Sequence, residues 1–225
     1  HVTGQLLDTP GRLQEQLVVA GGGRQRHIAQ HQGAIGDLEA EGMQGPRRLL
    51  DVADRDRAAV AGGVTSLVCP PDTDPVLDEP GLVEMLKFRA EKLHQSRVFP
   101  LGALTRGLKG ETLTEMIELT EAGCVGFSQA EIPLGNTQVL MRALQYASSF
   151  GYTVWLRPQE IHLGKGVAAS GPLATRLGLS GVPVAAETIA LHTIIELVRS
   201  TGARVHLCRI SSAPGVALVR QAKDE

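Results

Sequence analysis

Short apolar runs alternate with helical patterns along the chain from about residue 58 onward. The apolar runs, each typical of a buried strand, cover residues 64–69, 97–101, 124–127, 152–156 and 204–208. A helical pattern follows each run, over residues 78–95, 111–121, 135–150, 183–200 and 213–224. Strands that alternate with helices in this way form parallel sheets covered by helices. The pattern therefore predicts an α/β domain with about five βα units.

The segments that follow the strands favour a barrel over an open sheet. No GxGxxG or GxxxxGK[ST] motif follows any predicted strand, so the usual sign of a nucleotide-binding open sheet is missing. The loops after the strands are instead long and carry the uncommon residues, as they do in (βα)8 enzymes. Because five units are too few to close a barrel, we predict a partial, incomplete TIM-type (βα)8 barrel. Further strands are then missing or lie in the N-terminal part.

The first 57 residues differ in composition from the rest of the chain. They contain no lysine and no aromatic residue, but seven glutamines, seven arginines and nine glycines. Apart from a short helical pattern around residues 46–62, no period is sustained. We therefore predict an irregular or weakly ordered segment over residues 1–57 and a barrel-like domain over residues 58–225. His27 and His31 fit a solvated polar segment better than a metal site, because no carboxylate lies between them.

Composition and charge argue against several classes of partner. The formal net charge of −2 gives no electrostatic basis for binding nucleic acid or an anionic membrane. No apolar stretch reaches the ~20 residues of a membrane span, and the N-terminus has no signal-peptide core. The three cysteines are too far apart for a CxxC motif and fit buried thiols in a reducing compartment. We expect a soluble, cytoplasmic protein.

The end of the last predicted strand carries the most informative residues. The run Val205-His206-Leu207-Cys208-Arg209-Ile210-Ser211-Ser212 predicts a buried strand that ends at a cation and two hydroxyls. In a barrel of this kind, chemistry lies at the C-terminal ends of the strands. Arg209 can neither lose its proton nor bind a metal ion there. Arg157 adds a second fixed positive charge after the 152–156 strand, and His206 fits a core histidine better than a ligand.

Other strand ends offer polar groups without a recognisable catalytic arrangement. Asp72 and Asp74 lie in a turn-rich loop, where binding of a polar substrate and shaping of the loop by Asx turns are equally good interpretations. The 124–127 strand leads into Gln129 and Ala130, where a dinuclear metal enzyme would place a bridging carboxylate. No serine lies in a GxSxG elbow.

The order of five motifs resembles the dihydroorotase branch of the amidohydrolase superfamily. The motifs are GGVTSLVCPPDTDP at 62–75, LTRGLKG at 104–110, AGCVGFS at 122–128, PVAAE at 183–187 and TGARVHLC at 201–208. They are similar to the family's GGVT…MPNTxP segment, its next loop, the strand ahead of its acidic pair, and its PxxAE…TGARxHxCH pattern. The resemblance covers about residues 58–225 and implies a metal-dependent hydrolase barrel of pyrimidine biosynthesis.

The departures from that family pattern fall on its functional positions. Asp72 stands in place of the substrate-binding Asn, Gln129 or Ala130 in place of an Asp, and Arg157 and Arg209 in place of ligand histidines. The family's HxH is not found in residues 1–57, and its general-base Asp would lie beyond the end of the chain. Active members use metal-bound hydroxide, and two arginines in the cavity would repel divalent cations. The resemblance therefore implies no catalytic residue and no metal ligand here, with Asp72, Arg157 and Arg209 as vestigial substrate-binding residues.

Three hypotheses about function stay open. The first is a catalytically silent pseudo-dihydroorotase that acts as a structural partner of aspartate carbamoyltransferase in an oligomeric assembly, as degenerate homologues are known to do. The second is an active cyclic amidohydrolase that interconverts dihydroorotate and carbamoyl-aspartate, with zinc held by Asp72, Asp74, Glu160 and His162. The third is a truncated or mis-framed fragment that lacks barrel strands at both ends, because residues 1–57 do not resemble the family.

Overall fold

The computed structural model describes the backbone of residues 5–8, 12–15 and 52–224, and the side chains of residues 57–224. The helices are α1 (Val52–Ala61), α2 (Pro80–Leu93), α3 (Met116–Glu121), α4 (Thr137–Phe150), α5 (Pro172–Arg176), α6 (Val184–Thr201) and α7 (Ala213–Asp224). The strands are β1 (Gln5–Asp8), β2 (Arg12–Glu15), β3 (Ser66–Cys69), β4 (Arg97–Pro100), β5 (Gly102–Ala103), β6 (Phe127–Ser128), β7 (Thr153–Leu156), β8 (Ala168–Ala169), β9 (Gly181–Val182) and β10 (Arg204–Leu207). Single 3-10 turns occur at Arg106–Leu108 and Leu163–Lys165.

Parallel strands form an arc that runs from β3 to β10. β3 pairs with β4, β5 pairs with β6, β6 with β7, and β7 with β10, all in parallel. Only Leu101 separates β4 from β5, so the stretch 97–103 pairs first with β3 and then with β6. Apart from β4 and β5, which one residue joins, a helix lies between successive strands of the arc. The predicted α/β domain with about five βα units is confirmed.

Two further strands lie at the β10 edge of the arc. β1 pairs with β10 in antiparallel fashion, with Leu6 opposite His206, and β2 pairs with β1. The sequence patterns did not predict these two strands. α1 matches the helical pattern expected around 46–62. The remainder of residues 1–51, including His27 and His31, lies outside the described residues, and the irregular character of that segment stays a prediction.

The central strands bury one face against the helices. The alternate side chains that pack against α4 and α6 are almost completely buried: Val154, Leu156, Val205 and Leu207. Successive strand residues point to opposite faces, so Trp155 and His206 share the other face of the sheet. Their rings stack with centroids 4.0 Å apart. None of the described helices is long and apolar enough to cross a membrane.

The ends of α4 set the entry into β7 and hence the position of the residue that follows it. The side-chain oxygen of Asn136 accepts hydrogen bonds from the backbone N–H groups of Gln138 and Val139, which caps the helix. Gly151 ends the helix with φ 69°, a left-handed conformation that glycine adopts at little cost. β7 then begins two residues later and ends next to Arg157.

Candidate functional site

Three charged side chains meet where β6, β7 and β10 end. Arg157 Nη1 donates to Glu131 Oε2 at 2.6 Å, and Arg209 Nη1 lies 2.8 Å from the same oxygen. The carboxyl ends of these neighbouring parallel strands lie at one edge of the sheet, which is where barrel enzymes place their chemistry. The structure thus brings together two of the residues singled out in the sequence, through a third. We call Glu131, Arg157 and Arg209 the rim cluster.

Left-handed backbone conformations flank the rim cluster. Arg209 itself has φ 56°, and Ala130, directly before Glu131, has φ 52°. A residue with a Cβ pays roughly 1–2 kcal/mol for this conformation, and such strain concentrates at functional sites when the surroundings impose it. The turn at Ala130 is therefore held by the contacts of Glu131, and the turn at Arg209 by those of Ser211 and Ser212.

Gln129 is turned away from the rim and stabilises the loop after β5. Its Nε2 donates to the Leu108 carbonyl at 2.8 Å, its Oε1 accepts from Thr105 Oγ1 at 3.0 Å, and only 3% of the residue is exposed. The carboxylate at this strand end comes from Glu131 instead, which the sequence analysis did not select. The available signal was that Glu131 is the only acidic residue between β6 and β7.

A buried carboxylate on α6 holds the loop after β10. Glu187 Oε2 accepts from Ser211 N at 2.7 Å and Ser211 Oγ at 2.8 Å. Its Oε1 accepts from Ser212 N at 3.0 Å and Ser212 Oγ at 2.5 Å. Burial raises the pKa of Glu187, but the hydrogen bonds from Ser212 and Ser211 outweigh it and leave the pKa below its usual value. A side chain at Gly215 would collide with Glu187 Oε1, so glycine permits this contact.

His206 adds no charge near the rim cluster at neutral pH. Burial lowers the pKa of its imidazole to about 4, because the charged form loses hydration. Its Nδ1 is buried without a hydrogen-bond partner in the described part of the chain. The residue packs in the strand against Trp155, as expected for a core histidine. The fixed charges at this edge therefore come from the rim cluster.

Burial keeps two of the three cysteines, Cys124 and Cys208, as thiols rather than thiolates. Burial raises the pKa of Cys124 to about 12. Burial also raises the pKa of Cys208 to about 12, with a further increase from the charge of Glu131 and an opposing effect of Arg209. Cys69 and Cys124 are buried, and Cys208 is half-buried. The expectation of buried thiols is confirmed, although only partly for Cys208.

The donor set at the rim does not fit a zinc ion. Zinc in proteins is bound by imidazole, thiolate and carboxylate groups, whereas the rim presents two guanidinium groups and one carboxylate. Within residues 57–224, no group of three or more His, Cys, Asp or Glu is placed to hold a metal ion. Glu160, considered in the sequence for an altered metal site, accepts backbone hydrogen bonds from His162 and Leu163 at 2.9 and 2.6 Å. Its carboxylate shapes its own loop.

Asp72 lies far along the arc from the rim cluster. It follows β3, at the opposite end of the arc from β10, whereas Arg157 and Arg209 follow two adjacent strands. The structure thus joins two of the three residues predicted to bind substrate and places the third elsewhere. Substrate binding by Asp72, Arg157 and Arg209 stays a prediction.

Comparison with protein-family models identifies the chain. The model described as dihydro-orotase-like matches residues 47–214. The chain belongs to the dihydroorotase-like family. The match begins before residue 58, where the sequence motifs first showed the resemblance. This family of amidohydrolases belongs to pyrimidine biosynthesis.

Relatives of this dihydroorotase-like chain are longer proteins. It is 44% identical over 181 residues to the dihydroorotase-like protein of Pseudomonas putida, covering 80% of this chain and 43% of that protein. It is 42% identical over 174 residues to the dihydroorotase of Geobacter sp. (strain M21), covering 77% of this chain and 41% of that one. The chain thus spans about two fifths of the length of these relatives.

Solved structures confirm the fold of the dihydroorotase-like chain. L-Hydantoinase (dihydropyrimidinase) from Arthrobacter aurescens superposes with a TM-score of 0.61 at 19% identity, over 75% of this chain and 39% of that one. Dihydroorotase from Saccharomyces cerevisiae, in complex with 5-fluoroorotic acid, gives a TM-score of 0.51 at 13% identity, over 79% and 47%. Both are TIM-barrel amidohydrolases, so the predicted partial (βα)8 barrel is confirmed.

Proposed function

We propose that this dihydroorotase-like chain is catalytically silent and acts in the cytoplasm as a structural partner of aspartate carbamoyltransferase, within an oligomeric assembly. The observation that carries the proposal is the rim cluster. Two guanidinium groups share one oxygen of Glu131 at the strand ends where the sequence resemblance places ligand histidines. A carboxylate already paired with two cations has little capacity left to hold a metal ion.

Electrostatics at the rim oppose metal binding. The rim cluster carries a net charge of +1, and a divalent cation beside it meets four repulsive unit-charge pairs against two attractive ones. At 4 Å, one such pair is worth about 4 kcal/mol at an effective dielectric constant of 20, before screening by solvent. For a cation equally distant from the three groups the net effect is repulsive, and solvent screening weakens it because the side chains are 34–44% exposed. Metal-bound hydroxide is therefore unfavourable at this edge.

The retained barrel frame supports a scaffolding role. The described core is continuous from β3 to α7 although the rim chemistry has changed. The relative from Pseudomonas putida at 44% identity carries the name dihydroorotase-like protein rather than dihydroorotase. A barrel core that is retained while the rim lacks suitable metal ligands favours a function that uses the surface of the barrel.

Metal content and turnover test catalytic silence. The full chain is stripped with a chelator, reloaded with zinc, analysed by elemental mass spectrometry and assayed for dihydroorotate hydrolysis. We expect far less than one zinc ion per chain and no turnover. The matched control is Arg157→His combined with Arg209→His, which removes both cations and should bind more zinc than the parent chain. One tightly bound ion per parent chain, with turnover, would establish the active-enzyme hypothesis instead.

Partnership is tested separately with purified aspartate carbamoyltransferase from the same organism. The two proteins are mixed and analysed by size-exclusion chromatography with light scattering. We expect a complex of fixed stoichiometry that persists on dilution to micromolar concentration. Separate elution of two species under these conditions would refute the partnership while leaving the conclusion on catalysis untouched.

A further inference from the structure

A cavity of about 150 Å³ lies next to the rim cluster, and Arg157 lines it. Its walls come from α4, α6 and the segments after β6 and β7, and they combine apolar side chains with a comparable share of polar ones. The apolar side chains include Ile132, Leu134, Leu140, Ile161, Ile189 and Ile194. We propose that this cavity binds a small monocarboxylate, with the apolar body inside and the carboxylate on the guanidinium group of Arg157. The inference goes beyond the proposed function, since it assigns a ligand and depends on no partner protein.

The arginines of the rim cluster retain most of their capacity to donate hydrogen bonds. A guanidinium group has five N–H donors; Arg157 donates one from Nη1 to Glu131 Oε2, and Arg209 Nη1 forms an ion pair with the same oxygen. No other acceptor contacts Arg157 or Arg209 within the described residues. Their side chains are 35% and 44% exposed, so an incoming anion can reach them. The planar fork of a guanidinium group matches a carboxylate in bidentate geometry.

The size and polarity of the cavity define the rest of the ligand. A cavity of 150 Å³ is large enough for a body the size of benzene, and the isoleucine and leucine side chains of its wall offer apolar contacts to that body. Gln129 also lines the cavity, but its amide is already bonded to Thr105 and Leu108. Glu160 lines it too, and its negative charge disfavours a second anionic group on the ligand. These features favour a monocarboxylate with a compact apolar body over phosphate or a dicarboxylate.

Glu131 limits the affinity of the site because it competes for the same guanidinium groups. Its carboxylate neutralises one of the two positive charges of the rim cluster. Replacing it with glutamine keeps the shape and removes the competing charge. Binding of a monocarboxylate should therefore become tighter in Glu131→Gln, an outcome that general damage to the fold cannot produce.

Benzoate is the probe, and the full chain is titrated at low ionic strength. Ligand-observed NMR follows the titration. We expect a dissociation constant on the order of 1 mM for benzoate, and binding at least tenfold weaker for neutral benzamide, acetate and inorganic phosphate. Benzamide that binds as well as benzoate, or no benzoate binding at tens of millimolar, would overturn the proposal.

Four variants locate the site. Arg157→Gln should weaken benzoate at least tenfold, and Glu131→Gln should tighten it at least threefold. The matched control Arg142→Gln removes an exposed arginine of α4 and should change affinity less than twofold. Thr193→Phe fills the cavity from α6 and should weaken benzoate with the charges intact. If circular dichroism shows that Arg157→Gln does not fold, Glu131→Gln and Thr193→Phe still test the position of the binding site. Equal effects of Arg157→Gln and Arg142→Gln, or unchanged affinity in both Glu131→Gln and Thr193→Phe, would refute the assignment.

Discussion

The carboxylate of Glu187 holds the loop that presents Arg209, and the isosteric change Glu187→Gln tests the strength of that hold. Each carboxylate oxygen accepts one backbone N–H and one hydroxyl, from Ser211 and from Ser212. In the variant, one oxygen becomes an NH₂ group that faces two donors. The serine hydroxyl can rotate to accept from it, but the backbone N–H cannot. A buried unsatisfied donor costs about 1–3 kcal/mol, and the remaining bonds lose their charge assistance. We expect the unfolding free energy to fall by about 3 kcal/mol.

Urea unfolding at pH 7, followed by circular dichroism, measures this loss. The matched control is Glu196→Gln on the same helix. Glu196 is 75% exposed and contacts Arg199 at 3.3 Å, and such surface pairs are worth less than about 1 kcal/mol. The urea midpoint should therefore drop markedly for Glu187→Gln and hardly at all for Glu196→Gln. Equal midpoints for the two variants, with equal slopes, would refute the role assigned to Glu187.

The dependence on pH provides a second readout for the same variant. The pKa of Glu187 in the folded chain lies below its usual value of 4.5, since the hydrogen bonds outweigh burial. A carboxyl group whose pKa is lower in the folded than in the unfolded chain stabilises the fold when it is ionised. This stabilisation is complete at a pH above the pKa of the unfolded chain and is lost as the pH falls through the pKa of the folded chain. The stability gap between the parent chain and Glu187→Gln should thus be widest at neutral pH and should narrow below about pH 4.5. A constant gap across this range would contradict the charge-based explanation.

Two further predictions concern groups that are buried or half-buried in the sheet region. Gln129→Leu should lower the unfolding free energy by about 2 kcal/mol, because it removes both hydrogen bonds of a buried amide and leaves the Thr105 hydroxyl without its acceptor and the Leu108 carbonyl without its donor; an unchanged urea midpoint would contradict this. Cys124 and Cys208 should resist a thiol reagent at about pH 8 in the folded chain and react after unfolding in urea, because burial raises both pKa values to about 12. Fast modification of both thiols before unfolding would show that they are accessible thiolates.

The long helices could be predicted from the sequence because their apolar stripes face a sheet. The patterns at 135–150 and 183–200 became Thr137–Phe150 and Val184–Thr201, with ends that differ by at most two residues. The short strands were less predictable. The 124–127 run became a strand only at Phe127–Ser128, because Cys124 is buried without strand pairing and Val125 is 51% exposed. Hydrophobicity alone reports burial and does not report hydrogen-bond pairing.

The sequence could identify the two arginines of the rim cluster but not the glutamate with which both are paired. Arg157 and Arg209 were visible because each follows a buried strand where the family pattern has histidine. Glu131 could not be identified from the sequence. Its contact with both arginines depends on the left-handed turn at Ala130 and on the parallel pairing of β6, β7 and β10. Pairing between strands that are distant in sequence leaves no local signal. A charged group is therefore easier to find from a sequence than its partner.

The rim cluster also explains why reversing one substitution should not restore a metal site. Replacing only Arg209 by histidine leaves Arg157 paired with Glu131 at 2.6 Å, so the carboxylate stays neutralised and a cation stays at the rim. Replacing only Glu131 removes the one acidic ligand and leaves two positive charges. Neither single change therefore leaves a free carboxylate beside two imidazole groups. We therefore expect zinc uptake to rise in the double variant Arg157→His, Arg209→His and to stay near that of the parent chain in either single variant.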